Sequence, residues 1–418
     1  MNKHLPMLEG YRVLDFTQVV AGPTCTRILA EMGAEVIKVE LAPFGDRTRV
    51  AGLRPRQPEF QGASQSTYFF QHNHSKKSLA LDFKTPQGKA LLLKMLPKCD
   101  VVVENFSPGV MARAGLSYDD LRQVNPQLIM CSVSLAGQAG PLSDAPGYDF
   151  NAQAYAGITD LIGDPEQTPS LITMAIGDIS TGVSAAMAIG FALLHREKTG
   201  RGQYIEASLL DTYFHMHEVA VPRVSLRKGY TPRRTGSQHP DGGPTGVFRC
   251  ADGRYITLAT LPHQWTQFTE AIQRPDLLSD PRFSTASLRR DNNAAIKEIL
   301  EDWLAAFGSR EQAIETLKHH RIPCAPVLTL NEAMEHPHLK ERGTVRRVSD
   351  AMLGDFDVPG MPVRFSDWPG DRVLRADLLG EHNDEVLKSL LDMTDSEIAK
   401  LYQEKILVRD PFAEHASA

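Results

Sequence analysis

An aspartate in front of a long uncharged segment is the first residue whose surroundings suit chemistry. Asp178 lies in the string MAIGDISTG, directly before residues 179–194, which carry no charge. If that segment is a helix, its free N-terminal N–H groups and the positive end of its dipole keep the carboxylate ionised. Such a weakly solvated carboxylate is a good nucleophile, and Gly177 leaves room beside it for a ligand. The residues alone leave open a second interpretation, an aspartate that only caps the helix.

A second group of polar residues lies thirty positions upstream of this aspartate. Tyr148, Asp149 and Gln153 fall within residues 144–157, a Gly- and Ala-rich segment in which backbones can pack closely. They either line a site or belong to a loop that enters a helix, with Asp149 or Asn151 as its cap. The sequence pattern does not choose between these two interpretations.

Basic residues recur near the ends of the predicted strands. In open α/β sheets, ligands bind beyond the carboxyl ends of the strands, so basic side chains there suit an anionic ligand. Lys84 and Arg113 fit this position best, although most surface charges are simply solvated. The full set is Lys38, Arg47, Arg49, Lys76, Lys77, Lys84 and Arg113.

Several common cofactor and metal motifs do not occur in the sequence. The first strand–helix turn reads QVVAGPTCT and has a single glycine, whereas dinucleotide binding needs G-x-G-x-x-G. There is no G-x-x-x-x-G-K-[ST] phosphate loop and no G-x-S-x-G hydrolase motif. The histidines are scattered and the five cysteines form no C-x-x-C pair, so we expect neither a metal site nor a disulfide framework.

The composition is typical of a globular protein. Of 418 residues, 42% are hydrophobic and 23% charged, which excludes intrinsic disorder and a fibrous protein. A formal net charge of −6 argues against a protein built to coat nucleic acid or an anionic membrane. The N-terminal residues lack a signal-peptide core, and residues 179–194 are shorter than the roughly 18 apolar residues of a membrane span. We therefore expect a cytoplasmic protein in which this segment is a buried helix.

Strand and helix patterns alternate in the first half of the chain. Apolar runs joined by helical patterns predict a parallel sheet that is buried on both faces, in a doubly wound, Rossmann-like α/β domain. The predicted strands cover residues 11–16, 35–40, 79–83, 100–105 and 128–134. The pattern changes after residue 224, where a Gly/Pro-rich loop precedes a hairpin signal, GVFRC-ADG-RYITLATL. Residues 225–330 are predicted to form a smaller α+β domain.

Eight strings in register resemble one family, the class III CoA-transferases, a superfamily that also includes the α-methylacyl-CoA racemases. They are VLDFTQVVAGP (13–23), GAEVIKVE (33–40), SLALDFKTPQGK (78–89), DVVVENFSPG (100–109), GYDFNAQAYAG (147–157), GDISTG (177–182), HREKTGRGQ (195–203) and LLGEHNDEVL (378–387). The resemblance implies a large CoA-binding domain formed by residues 1–224 and the returning segment 331–418. It also implies an interlocked homodimer, with coenzyme A or acyl-CoA as substrate and no permanently bound cofactor.

The resemblance also assigns roles to residues. Asp178 takes the position of the nucleophile, with Tyr148 and Asp149 as its catalytic neighbours. A mobile loop over the site corresponds to Gly236, Ser237, Gln238 and His239. The positions that contact CoA are Val19, Val20, Leu41, Leu81 to Lys84, Asn105, Phe106, Ser107 and Arg113, with adenine near Phe106 and phosphates near Lys84 and Arg113.

The implied reaction moves CoA from an acyl-CoA, such as succinyl-CoA, to a carboxylic acid through an aspartyl anhydride and an aspartyl-CoA thioester. Backbone N–H groups near Asp178 and the 236–239 loop would hold the oxyanion. Formyl-CoA:oxalate enzymes have a tryptophan where Val50 stands, so oxalate is a doubtful substrate, while Arg47 and Arg49 suit a dicarboxylic acid. The racemase branch has histidine in place of Tyr148, which favours transfer over racemisation. An epimerase and a non-catalytic CoA-binding protein remain the alternatives.

Overall fold

A six-stranded parallel sheet is the centre of the computed structural model, which describes residues 5–368, 370 and 373–414. The strand order is β3-β2-β1-β4-β5-β6, and every neighbouring pair is parallel. The strands are β1 (Arg12–Asp15), β2 (Glu35–Glu40), β3 (Lys77–Ala80), β4 (Val101–Glu104), β5 (Ile129–Ser134) and β6 (Tyr204–Ser208). The predicted α/β class with a parallel sheet is confirmed. The strand order reverses between β1 and β4: the chain adds strands on one side of β1 first and on the other side afterwards. Doubly wound folds bind ligands at this point.

Helices cover the sheet because its strands are apolar on both faces. β4 and β5 are buried throughout, and a large core combines sheet residues with Leu91, Leu92 and Met95. The helices of this part are α1 (Ala21–Glu31), α2 (Thr67–Asn73), α3 (Pro86–Met95), α4 (Val110–Arg113), α5 (Tyr118–Val124), α6 (Asp149–Tyr155), α7 (Ile176–Thr199) and α8 (Leu209–His215).

The long helix α7 differs from the prediction of a buried helix. It has 24 residues and is long and apolar enough to cross a membrane. Core helices of soluble proteins can have the same length and composition. One face packs on the protein, while large apolar side chains on the other face are exposed. These are Ile179 (42% exposed), Val183 (41%), Met187 (56%), Phe191 (65%) and Leu194 (54%). The sequence missed this because burial of one helix face depends on what packs there, not on apolar content.

The chain divides into two compact units. The first comprises residues 1–157, 172–218 and 340–418, and the second comprises residues 158–171 and 219–339. These limits differ from the predicted boundaries at residues 225 and 330, and the second unit also takes in a segment from the first half of the chain. The predicted boundaries followed local composition, whereas compact units follow contacts between distant segments.

The second unit contains a small antiparallel sheet and its own apolar core. The predicted hairpin is present: Thr245 pairs with Ala259 and Arg249 with Tyr255. A core that includes Phe248, Ile256 and Phe268 holds the sheet against the helices. The elements are α9 (Ala220–Leu226), β7 (Thr245–Arg249), β8 (Tyr255–Ala259), α10 (Trp265–Ala271), α11 (Ala286–Asp291), α12 (Asn293–Leu304), α13 (Arg310–His319), β9 (Cys324–Pro326), α14 (Leu330–Glu335) and α15 (Pro337–Glu341).

The C-terminal segment packs on the large sheet. A hairpin forms first, followed by two helices whose apolar residues, among them Leu387 and Leu401, join the core beneath β2 and β3. Asn383 fastens this segment: its Oδ1 accepts from the Ala80 N–H at 2.8 Å, at the end of β3. The elements are β10 (Val345–Asp350), β11 (Gly354–Pro359), α16 (Asn383–Leu391) and α17 (Asp395–Gln403).

Candidate active site

Asp178 lies in the first turn of α7 and not before it. The helix begins at Ile176, and its N-cap is Ala175, so the predicted start at residue 179 was three residues late and Asp178 is not the cap. α7 and α1 lie very close together here, since a Cβ added at Gly182 would stand 2.5 Å from the Ala21 carbonyl oxygen. The carboxyl group therefore sits on a tightly packed helix.

Asp149 holds the backbone of Asp178. Its Oδ2 accepts a hydrogen bond from the Asp178 N–H at 2.9 Å, and its Oδ1 accepts one from the Tyr213 hydroxyl at 2.6 Å. Asp149 is the first residue of α6 and is buried, and Tyr213, on α8, is buried too. Gln153, one turn along α6, donates its Nε2–H to the Tyr213 oxygen at 3.3 Å. The structure thus brings the two predicted acids, Asp149 and Asp178, together. It adds Tyr213 to the site, a residue for which the sequence contained no signal.

The N–H groups at the start of α7 are all engaged within the protein. The Ile176 N–H donates to the Met174 carbonyl at 2.8 Å, and the Ile179 N–H donates to the Ala175 carbonyl at 3.0 Å. Between them, the Gly177 N–H donates to the Tyr213 hydroxyl and the Asp178 N–H to the Asp149 carboxylate. The expectation that these groups would stabilise the Asp178 carboxylate or hold an oxyanion is therefore wrong. Tertiary contacts use these donors, and a sequence cannot reveal such contacts.

The ionisation of Asp178 follows from this arrangement. Burial, and then the negative charge of Asp149, raise the pKa of Asp178 to about 7. The carboxyl group is thus not held ionised by the helix, as the sequence suggested, but titrates near neutral pH. A carboxylate with so high a pKa is more nucleophilic than an ordinary one and is still about half ionised at pH 7.

Gly177 makes room for a protein side chain and not for a ligand. A Cβ placed at Gly177 would lie 2.2 Å from Cε2 of Tyr213, so the space is already filled by the tyrosine ring. The prediction of a ligand at this position was wrong. Glycine is needed here because the ring packs directly against the first turn of α7.

Two further tyrosines belong to the surroundings of Asp178. Tyr148, the N-cap of α6, is 70% exposed, and its backbone N–H donates to Asn151 Oδ1 at 2.9 Å. Tyr68 on α2 was not singled out from the sequence. Burial first, and then the charges of Asp178 and Asp46, raise the pKa of Tyr68.

Four of the residues predicted to contact CoA lie together in the segment that follows β4. Asn105, Phe106, Ser107 and Arg113 line one cavity of about 320 Å³. The cavity ends at residues 143–147, and Gly147 is two positions before Asp149. Exposed Arg113 supplies a positive charge at this cavity, so it can hold a phosphate-bearing ligand.

The loop after β1 is strained and firmly held. Val19 has a φ of +70°, in a region that β-branched residues rarely adopt. The neighbouring Gln18 is clamped by Asn105: Oδ1 accepts from the Gln18 N–H and Nδ2 donates to the Gln18 carbonyl, both at 2.8 Å. Asp46 Oδ1 accepts from the Val19 N–H at 3.4 Å, and Lys38 pairs with Asp46 Oδ2 at 3.0 Å. A buried ion pair thus supports a predicted CoA contact.

The other predicted CoA contacts differ in exposure. Val20 and Leu81 are buried in the core, so their side chains do not face a ligand. Leu41 is half-buried after β2, and Lys84 is exposed next to α3, where it is free to meet an anion.

Arg49 does not serve a substrate carboxylate, contrary to the prediction. It is fully buried, and its guanidinium bonds to both oxygens of Glu40, at 2.7 and 2.6 Å. The remaining N–H groups donate to the carbonyls of Ser64 and Asp377 and to the Ser78 hydroxyl. All five donors are used, so no hydrogen bond is left for a ligand. Arg47 is exposed.

The predicted mobile loop lies in the second unit. Gly236 adopts a φ of +61° and donates its N–H to the Gly163 carbonyl at 3.1 Å. Ser237 accepts from the Val247 N–H at 2.8 Å, and the His239 N–H donates to Thr245 at 2.9 Å, while Gln238 pairs with Gly246. Its role over the active site stays a prediction. Within the described ranges no cluster of three or more metal-binding side chains occurs.

Comparison with known proteins decides the family. The model of CoA-transferase family III matches residues 8–383. The chain belongs to this family. It is 34% identical to the formyl-CoA:oxalate CoA-transferase of Bradyrhizobium diazoefficiens, over 95% of this chain and 96% of that protein. It is 31% identical to the succinyl-CoA–D-citramalate CoA-transferase of Chloroflexus aurantiacus, over 96% and 98%.

Solved structures agree with the family III assignment. A CAIB/BAIF family protein from Brucella suis matches with a TM-score of 0.75 and 32% identity, covering 91% of this chain and 98% of the other. A Mycobacterium tuberculosis protein matches with a TM-score of 0.79 and 31% identity, covering 91% and 99%. The protein is therefore a CoA-transferase of family III with the α/β fold of these relatives.

Proposed function

We propose that Asp178 is the nucleophile that carries CoA from a donor thioester to an acceptor acid. The observation that carries this role is its position: a half-buried carboxyl with a pKa of about 7, in the first turn of α7. Asp149, which holds its backbone, follows two residues after the end of the CoA cavity. The residue that holds the nucleophile thus follows the cavity directly along the chain, and its hydrogen bond brings Asp178 to that part of the structure.

The reaction proceeds through an aspartyl-CoA thioester that is formed and consumed by way of two aspartyl anhydrides, one with the donor acyl group and one with the acceptor. The Asp178 carboxylate attacks the donor thioester carbonyl, which gives an acyl-aspartyl anhydride and CoA thiolate. The thiolate then attacks the aspartyl carbonyl, so that an aspartyl-CoA thioester forms and the donor leaves as its carboxylate. The acceptor carboxylate attacks this thioester, releasing CoA thiolate again, and the thiolate takes the acceptor acyl group to regenerate Asp178.

Oxyanion stabilisation must come from groups other than the first turn of α7, since its N–H groups are engaged. The exposed hydroxyl of Tyr148 is the donor that we assign to this task. Water must be kept away because the anhydride would otherwise hydrolyse, and the half-buried position of Asp178 supports this exclusion.

We propose succinyl-CoA as the donor and a carboxylic acid other than oxalate as the acceptor. One relative is named a succinyl-CoA–D-citramalate CoA-transferase, which supports the donor. Several relatives at 34% identity are named formyl-CoA:oxalate CoA-transferases. The family resemblance described above places a tryptophan of such enzymes where this chain has Val50. Exposed Arg47 can pair with the second carboxylate of a dicarboxylic acid.

We propose that the enzyme works as an interlocked homodimer in the cytoplasm. The exposed apolar face of α7, from Ile179 to Leu194, supports a second copy as its cover. Since interlocked chains cannot separate without unfolding, Phe191→Glu should lower the melting temperature of the dimer and not release folded monomers. A monomeric mass of the wild type in light scattering, or flotation of the wild type with neutral lipid vesicles, would contradict this assignment.

One mass-spectrometric assay tests the activity. The enzyme is incubated in D₂O with several acyl-CoAs, one of them 2-methyl-branched, and a pool of carboxylic acids. We expect new CoA esters of pool acids, and none with Asp178→Asn, while the exposed control Asp395→Asn behaves as wild type. Deuterium at the α-carbon without new esters would instead identify an epimerase. Binding of CoA without either product would identify a non-catalytic CoA-binding protein.

A second assay tests the covalent states. Succinyl-CoA is supplied without an acceptor, and neutral hydroxylamine then converts an activated aspartyl carbonyl into a hydroxamate. The peptide that contains Asp178 should carry the modification in the wild type. A modification elsewhere, or none during active turnover, would contradict the proposed nucleophile.

A further inference from the structure

The hydroxyl of Tyr213 is buried at the active site but has no part in the reaction described above. Its side chain is 1% exposed, and it sits on α8, which packs against the start of α7. The hydroxyl donates to Asp149 Oδ1 at 2.6 Å and accepts from the Gly177 N–H and from Gln153 Nε2. One oxygen atom thus connects α6, α7 and α8.

The Tyr213 ring is fitted to the first turn of α7. Because a Cβ at Gly177 would lie 2.2 Å from the ring, the ring has no space to shift towards α7. Gln153, which is fully buried, restrains the hydroxyl from the other side and is itself held by Ile172, whose N–H donates to Gln153 Oε1 at 3.2 Å. The hydroxyl has one position, and that position orients the Asp149 carboxylate.

Asp149 transmits this orientation to the nucleophile. With Oδ1 fixed by Tyr213, Oδ2 points at the Asp178 N–H, 2.9 Å away. If the hydroxyl is removed, one oxygen of a buried carboxylate loses its donor, and the carboxylate turns to find another. The backbone of Asp178 would then lose its fixed position.

We propose that Tyr213 is a positioning residue of the transfer reaction, acting through Asp149 to hold Asp178 in the geometry of attack. This inference rests on the proposed role of Asp178 as nucleophile. The CoA cavity is lined by other residues, so the effect should fall on the chemical step and not on CoA binding.

Tyr213→Phe is the direct test, since phenylalanine keeps the ring that fills the space at Gly177. We expect kcat to fall about tenfold or more, as for loss of a hydrogen bond to a charged group, with KM for acyl-CoA within about twofold. The matched control is Tyr402→Phe, which also removes a tyrosine hydroxyl bonded to an aspartate, Asp384, at 3.0 Å. The control should leave kcat unchanged.

A double-mutant cycle separates positioning from a general loss of structure. In Asp149→Ala the group that Tyr213 orients is gone, so adding Tyr213→Phe should lower kcat by less than about threefold. Independent, additive losses would overturn the inference, as would a wild-type kcat in Tyr213→Phe, or a KM that rises with the fall in kcat. If Asp178→Asn retains transfer, the proposed nucleophile fails. If Asp178→Asn is inactive while Tyr213→Phe has the kcat of the wild type, the nucleophile stands and only the role of Tyr213 fails.

Discussion

The charge of Asp149 should set the pH at which the enzyme becomes active. Asp149→Asn removes that charge but keeps an Oδ1 atom that can accept the Asp178 N–H. Burial accounts for the larger part of the rise of the Asp178 pKa from 3.8 to about 7, and Asp149 for the smaller part. We therefore expect the substitution to lower the pKa of Asp178 by about one unit, to about 6.

This shift has a measurable consequence for the pH profile. Only ionised Asp178 attacks the thioester, so the acid limb of kcat/KM follows its ionisation in the free enzyme. At pH 6 the wild type is about one-tenth ionised and the variant about half. The ratio of kcat/KM at pH 6 to that at pH 8 should rise from about 0.1 to about 0.5, even if the absolute rates of the variant are lower.

The assay is the rate of acyl-CoA consumption between pH 5 and pH 9 at constant ionic strength. Asp395→Asn removes a charge from an exposed aspartate on α17 and should keep the wild-type ratio. An acid limb that stays near pH 7 in Asp149→Asn, or moves upwards, would refute the reasoning, because it would show that Asp149 contributes no negative charge at Asp178.

Three further predictions concern stability and binding. Because the pKa of Asp178 is raised in the folded protein, its protonated carboxyl group favours the folded state over the unfolded state. This stabilisation is fully present below pH 3.8 and is lost as the pH rises through about 7. Asp178→Asn should therefore gain about 1–2 kcal/mol in unfolding free energy, relative to wild type, between pH 5 and pH 8 in urea titrations; a constant difference would contradict this. Val19→Gly should relieve the strain at φ +70° and stabilise the fold by about 0.5–1 kcal/mol, while CoA affinity measured by calorimetry falls. A clear loss of stability would show that Val19 is not strained. Arg49→Met should cost about 3–5 kcal/mol of stability because Glu40 is left buried and unpaired. A stable variant with a raised KM for a dicarboxylic acid would show that Arg49 binds substrate after all.

Local patterns predicted the framework of the fold well. β2 has the limits that the sequence indicated, and the 245–259 hairpin forms as its Ala-Asp-Gly turn suggested. These elements depend on side-chain periodicity and on turn residues that are neighbours in sequence. The burial of α7 was mispredicted, because apolar content does not reveal which face finds a packing partner within the chain.

The sequence by itself determined which residues could do chemistry: Asp178 before a long uncharged segment, and Asn105 and Phe106 at the end of β4. The tertiary structure alone decided their chemical state. Arg49 became a buried partner of Glu40, and the N–H groups around Asp178 were used by Asp149 and Tyr213. The reason is physical. Hydrogen bonds within an element follow from adjacent residues, whereas desolvation and charge at a side chain depend on groups brought close from distant parts of the chain.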